Sequence, residues 1–228
     1  MTKEELFQEI IAIEWEMFDN TNNIGGRASC QNNKMGFVAN RKFQLMAWNE
    51  ETLESYLEDL KAAKEEGRNL MVEKYARMME PIYTGEYNEI AEYLPPVTPD
   101  MQVYITQIMD MQMKWSEETQ EDYPLLSSFG RPRESRQDSV RNTSIETYLW
   151  SELTTYSLKT LKLYTEYLNK LMLENKNIHE MILQNTAHGY GFKDAEDAEN
   201  NIRKRLEEQG MTNYLKVYDR KPQPPTIV

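Results

Sequence analysis

The 228 residues carry a formal charge of −12 and include 14 Tyr, 14 Met, 6 Phe and 4 Trp, enough bulk to build a core without metals or disulfides and too much for a disordered chain. The acidic balance opposes the counterion release that drives nucleic-acid binding, and no apolar run approaches the roughly 18 residues that span a bilayer, so neither nucleic acid nor membrane is an expected partner. The single cysteine, Cys30, excludes an internal disulfide and a Cys-based zinc site; with no basic-then-apolar leader, it places the chain in a reducing cytoplasm.

Thr2 and Glu5 have capping-box spacing, and Leu6, Ile10, Ile13 and Met17 recur at helical intervals, which predicts a first helix ending near Asp19. Asn20, Asn22, Asn23, Gly25 and Gly26 break it, because Asn and Gly tolerate left-handed backbone. A short helix is predicted over 35–47. Asn49 with Glu50 and Glu51 then opens another whose apolar stripe is Leu53, Tyr56, Leu57 and Leu60. Gly67 suits its end, and helical spacing resumes over 69–79 through Leu70, Met71, Lys74 and Met78. After a Pro-punctuated connection with a short helix near Tyr87–Tyr93, Thr98-Pro99 starts a long helix. Its buried side is Met101, Ile105, Ile108, Met109, Gln112 and Trp115. Beyond a polar loop over 124–143, Thr143 and Glu146 form a second capping box. Further helices fit 159–174, 177–187 and 194–209. Past Gly210 the periodicity is lost, and Pro222, Pro224 and Pro225 suit an extended or mobile tail over 211–228.

Two loops stand out by charge. Residues 24–42 hold Arg27, Lys34, Arg41 and Lys42 with no acid, and residues 127–142 hold four Arg against Glu134 and Asp138; together they carry +6, which leaves −18 elsewhere. Setting 52–70 beside 160–178 gives identities at Thr52/Thr160, Leu53/Leu161, Tyr56/Tyr164, Glu58/Glu166, Leu60/Leu168, Glu66/Glu174 and Asn69/Asn177. Upstream, each stretch has a Trp-bearing helix (Trp15, Trp115), a Gly-Arg loop (Gly26-Arg27, Gly130-Arg131) and a further helix. This order suggests one unit present twice, over about 3–80 and 99–190. The expected architecture is therefore a single all-α domain over 1–210, a bundle of about nine helices built from two degenerate repeats.

The segments Ile13–Phe18, Gly25–Gln31 and Thr143–Leu149 resemble the signature stretches of a prokaryotic family, domain of unknown function 4125. The resemblance covers the chain to about residue 200. It implies a helical fold and a cytosolic setting and carries over no catalytic residue.

Candidate chemistry centres on the Gly-Arg loops. Gly lets backbone approach a ligand, and guanidinium grips carboxylate or phosphate with two prongs, so Arg27 and Arg131 are candidate anchors for a small anion. Internal pairing with helix carboxylates is the plainer role for both. Gln31, Trp15, Glu14, Glu146 and Tyr148 would surround the anion. Cys30, beside Arg27, is a candidate nucleophile set against a purely structural role. His179 and His188 lack HExxH or paired Glu-x-x-His spacing, so no metal site is expected; no cofactor is implied either. Both histidines read first as solvated or hydrogen-bonded helix residues. Two functions remain open at this level: a cytosolic binder of an anionic small molecule, with or without catalysis, and a helical scaffold that docks a protein partner.

Overall fold

A computed structural model describes residues 1–22 and 26–218. Asn23 and Gly25, named above as helix breakers, and the proline-bearing end of the chain lie outside the described residues. The described residues form twelve α-helices, against about nine expected: α1 (Lys3–Asp19), α2 (Lys34–Met46), α3 (Glu50–Glu65), α4 (Leu70–Met78), α5 (Thr84–Ile90), α6 (Pro99–Asp122), α7 (Pro124–Ser127), α8 (Ile145–Leu153), α9 (Leu158–Leu173), α10 (Ile178–Gly189), α11 (Ala195–Glu208) and α12 (Thr212–Tyr218). No strand occurs among the described residues; Ser139 and Asn142 form an isolated bridge. No helix among them is long and apolar enough to cross a membrane.

Caps set most of the boundaries. Thr2 and Glu5 close the capping box of α1, Asn49 caps α3, and Thr98 with Pro99 starts α6. Two local expectations change. Helix α8 is capped by Ser144, one residue later than the Thr143–Glu146 box, because Glu146 turns away to accept the Ser135 N–H at 2.6 Å. Residues 212–218 are helical, so the loss of periodicity after Gly210 does not extend through them.

The centre of the molecule is the pair α3 and α9, which pack together and share a 2.7 Å hydrogen bond between the buried hydroxyls of Ser55 and Thr160. Helix α1 lies on α3 and α4, as α6 lies on α9 and α10. Helix α2 packs on α1 and crosses to α10; helix α8 packs on α6 and crosses to α4. Leu53, Leu60, Leu161, Leu168, Ile10 and Ile108 are fully buried along these seams.

The local geometry recurs with the packing. Asn69 caps α4 and donates to the Met17 carbonyl at 2.8 Å; Asn177 caps α10 and donates to the Trp115 carbonyl at 2.9 Å. The same two carbonyls accept from Thr21 (3.0 Å) and Thr119 (2.8 Å). Helices α3 and α9 both end with a left-handed residue, Gly67 (φ 72°) and Asn175 (φ 51°). The backbone bonds Arg68 to Ala63 and Lys176 to Leu171 close these ends. In this hydrogen-bond pattern Met17, and not Trp15, stands where Trp115 does.

Candidate functional site

Four buried charges cluster where α1, α2, α4 and α8 meet. Glu14 of α1 is fully buried and receives the Arg41 guanidinium of α2 through two bonds, of 2.7 Å from Nε and 2.5 Å from Nη2. Arg41 also reaches Glu152 of α8 (3.1 Å), and Glu152 accepts from Lys74 of α4 at 2.9 Å. Tyr56 donates to Glu14 at 2.8 Å and Tyr156 to Glu152 at 3.0 Å. Two carboxylates thus balance two cations, the condition under which charges survive away from water.

The titration behaviour follows from this pairing. Burial pushes the Glu152 carboxyl up, but Lys74 and Arg41 together outweigh it and hold it at about 2. Burial opposes the charge on Arg41 too, and Glu14 and Glu152 overcome it, so its pKa rises well above the ordinary value. Burial, reinforced by the neighbouring carboxylates, pushes Tyr56 and Tyr156 far up, so both stay protonated and act as donors.

Against this cluster lies a cavity of about 530 Å³ between α2, α6, α8, α9, α10 and the 124–143 loop. Arg41 and Glu152 form part of its wall, and Trp48, Tyr148, Tyr156 and Tyr164 supply aromatic surface. Arg131 stands exposed at the mouth, its guanidinium 4.4 Å from the centre of the Tyr148 ring and Nη1 donating to the Thr143 carbonyl at 3.0 Å. Among the described residues it pairs with no carboxylate. The His179 ring also lines the cavity, and its Nε2 is buried with no partner. Burial lowers the His179 pKa to about 4, so the imidazole is neutral and adds no charge.

The residues singled out in the sequence separate. Arg131, Tyr148 and Glu14 belong to the cavity wall or the charge cluster beneath it. Arg27 instead clasps its own loop: it pairs with the Asp19 carboxylate and donates to Asn32 (2.9 Å) and the Gln31 carbonyl (2.7 Å). Gln31 is buried and donates to the carbonyls of Phe18 and Thr21, which closes the end of α1. Trp15 packs edge-on against Phe18 and Phe37. Glu146 borders a smaller cavity of about 200 Å³ with Arg77 and Trp150. Cys30 is exposed and outside both cavity linings. Among the described residues no group of three or more His, Cys, Asp or Glu could hold a metal ion. His188 bonds the Lys193 carbonyl (2.7 Å).

Sequence reasoning named Arg41, Lys74, Gln112 and His179 but gave none of them a place in the site. Two left a signal: Lys74 falls on the apolar stripe of α4 and Gln112 on that of α6, and a polar group on a buried face needs a partner there.

The fold and the site define an all-α bundle in which a balanced, desolvated charge cluster underlies an open, partly apolar cavity. The chain belongs to the family described as protein of unknown function (DUF4125), whose profile matches residues 4–200 and so includes the whole cavity wall. No curated protein and no solved structure matches the chain.

Proposed function

We propose that the chain binds a small organic anion in the 530 Å³ cavity, with Arg131 as its counter-ion. The observation that carries this reading is a charge excess. Arg41 and Glu152 in the wall are mutually paired, whereas Arg131 has aromatic and carbonyl neighbours and no carboxylate among the described residues. A guanidinium with free donors beside a partly apolar cavity is a site for one negative charge. A single excess charge matches a carboxylate better than a phosphate dianion. No catalytic step is assigned to Cys30. The lone thiol supports a cytoplasmic setting.

The two-copy origin of the chain belongs to the same proposal. It is supported by the paired packing of α1/α6, α2/α8, α3/α9 and α4/α10 and by the matching bonds at Asn69/Asn177 and Thr21/Thr119. In that register Phe18 stands where Ser116 stands in the second half. Phe18 stacks on Phe37 at 5.1 Å between centroids and touches Trp15 and Tyr75, so rings fill that space. Ser116 leaves the corresponding space open. On this reading the 530 Å³ cavity belongs to the second half, and helix α2 of the first half supplies Arg41 and Gln44 to its wall.

Native and denaturing mass spectra of the purified protein test this. The expected result is a non-covalent anionic mass on the wild type and on Arg27→Ala, absent from Arg131→Ala and from Ser116→Phe, with helical circular dichroism retained by all. Retention of the adduct by both Arg131→Ala and Ser116→Phe would overturn the reading. A clean apo mass is followed by benzoate titration, and no change in melting temperature at any soluble concentration would overturn it equally.

A further inference from the structure

One wall of the cavity is a strip of α6 with unused polar atoms. Gln112 and Ser116, one helical turn apart, both line the cavity and are only 4% and 2% exposed. Gln112 spends its amide N–H on the Tyr164 hydroxyl at 3.0 Å, which leaves Oε1 without a partner among the described residues; Ser116 Oγ meets none either. The Tyr164 hydroxyl, having accepted from Gln112, finds no acceptor among them for its own proton. Polar atoms on nearly buried side chains are paired in almost every folded protein, so unpaired ones that open onto a cavity mark where a bound molecule completes the set. His179 Nε2, also in the wall, is likewise unpartnered, whereas Thr119 donates to Trp115 and accepts from Asn177, Tyr156 donates to Glu152, and Gln44 accepts from Arg41.

We infer that the α6 strip reads a second polar group of the ligand, so that the ligand is a hydroxy acid: its carboxylate meets Arg131 and its hydroxyl meets Gln112 Oε1 and Ser116 Oγ. The inference rests on the anion reading above and adds the substrate class. A hydroxyl fits all three unused atoms, since it donates to Gln112 Oε1 and accepts from Ser116 or Tyr164. An ammonium would fit less well, because Glu152, the carboxylate in the wall, is held by Lys74 and Arg41. The aromatic residues around the cavity, Trp48, Tyr148, Tyr156 and Tyr164, suit a ring between the two polar ends. On the two-copy reading the filled half has Glu14 and Phe18 in place of Gln112 and Ser116, so the strip belongs to the open cavity alone.

The test uses the full chain and three probes of increasing reach, 4-hydroxybenzoate, 4-hydroxyphenylacetate and 3-(4-hydroxyphenyl)propanoate, each against its dehydroxylated counterpart by calorimetric titration. At least one hydroxylated acid is expected to bind about tenfold tighter than its counterpart, the effect of one satisfied buried hydrogen bond. That preference is expected to vanish in Ser116→Ala or Gln112→Met, each hydroxylated acid then binding no tighter than its counterpart on the same variant. Should the acids bind in an Arg131-dependent way with no hydroxyl preference at any length, or with a preference that both variants retain, the hydroxy-acid inference fails and the anion reading stands. Should no acid bind the wild type, both fail together. Gln112→Met also removes the bond to Tyr164, so Ser116→Ala, which takes away one unpartnered atom, serves as the variant with an undisturbed fold.

Discussion

Removal of the Glu152 charge is the sharpest probe of the interior. In Glu152→Gln the Lys74 ammonium, 2% exposed, loses its carboxylate, while Arg41 keeps both bonds to Glu14. Breaking one side of a buried ion pair destabilises by about 3–5 kcal/mol. Here the Tyr148 ring, 3.5 Å from Lys74 Nζ, offsets part of that through a cation–π contact of about 1–2 kcal/mol. The expected loss is therefore about 3 kcal/mol, or roughly 6–12 °C in melting temperature for a chain of this size. Lys74→Met on the Glu152→Gln background removes the stranded cation, so the double variant should be more stable than the sum of the two single losses predicts, by about 2 kcal/mol. Urea unfolding of the four proteins at neutral pH measures this cycle. Additivity within about 0.5 kcal/mol, or a loss below about 1 kcal/mol for Glu152→Gln alone, would refute the pairing argument.

Other outcomes follow from the same geometry. Acid should erode stability in two windows. His179 has a folded pKa of about 4 below its ordinary 6.5, so the unfolded chain binds the extra proton and stability falls as pH drops from 6.5 to 4. Glu152, at about 2 against an ordinary 4.5, contributes fully above 4.5 and loses that contribution as pH falls toward 2. His179→Gln should flatten the upper window and Glu152→Gln the lower, as read from urea midpoints against pH. Asn69→Ala and Asn177→Ala should each lower stability by about 1–2 kcal/mol, since each loses a cap and a bridge to another helix; a large effect of one and none of the other would contradict the matched geometry. Gln31→Ala should destabilise by about 1–3 kcal/mol through the freed carbonyls of Phe18 and Thr21 and leave benzoate affinity unchanged. Arg27→Ala, at an exposed pair, should change stability by no more than about 1 kcal/mol.

Much of the fold was legible because its signals are local. Helix starts at Thr2, Asn49 and Thr98-Pro99, and the end at Gly67, are written in cap chemistry that acts over three or four residues. The apolar stripes of α3, α6 and α9 follow from the 3.6-residue period alone. The Thr143–Glu146 reading failed where a local signal met a longer-range competitor, the Ser135 N–H that captures Glu146.

The site was legible only in part, for a physical reason. Sequence determined that Arg131 follows a glycine in a polar loop, that Tyr148 opens a helix, and that Lys74 and Gln112 fall on apolar faces. It could not determine which carboxylate would meet which cation. Arg27 and Arg131 look alike as Gly-Arg dipeptides, yet Asp19, eight residues back, occupies Arg27, while no described carboxylate reaches Arg131. Burial decided the charge states, since Glu152 is held ionised only by Lys74 and Arg41, which lie 78 and 111 positions earlier in the chain. The cavity itself exists only once α6 has packed against its neighbours, because its wall is drawn from residues between positions 40 and 183. Local rules placed the helices; the packing of distant helices decided which of their polar groups are satisfied and which stay unpaired on the cavity wall.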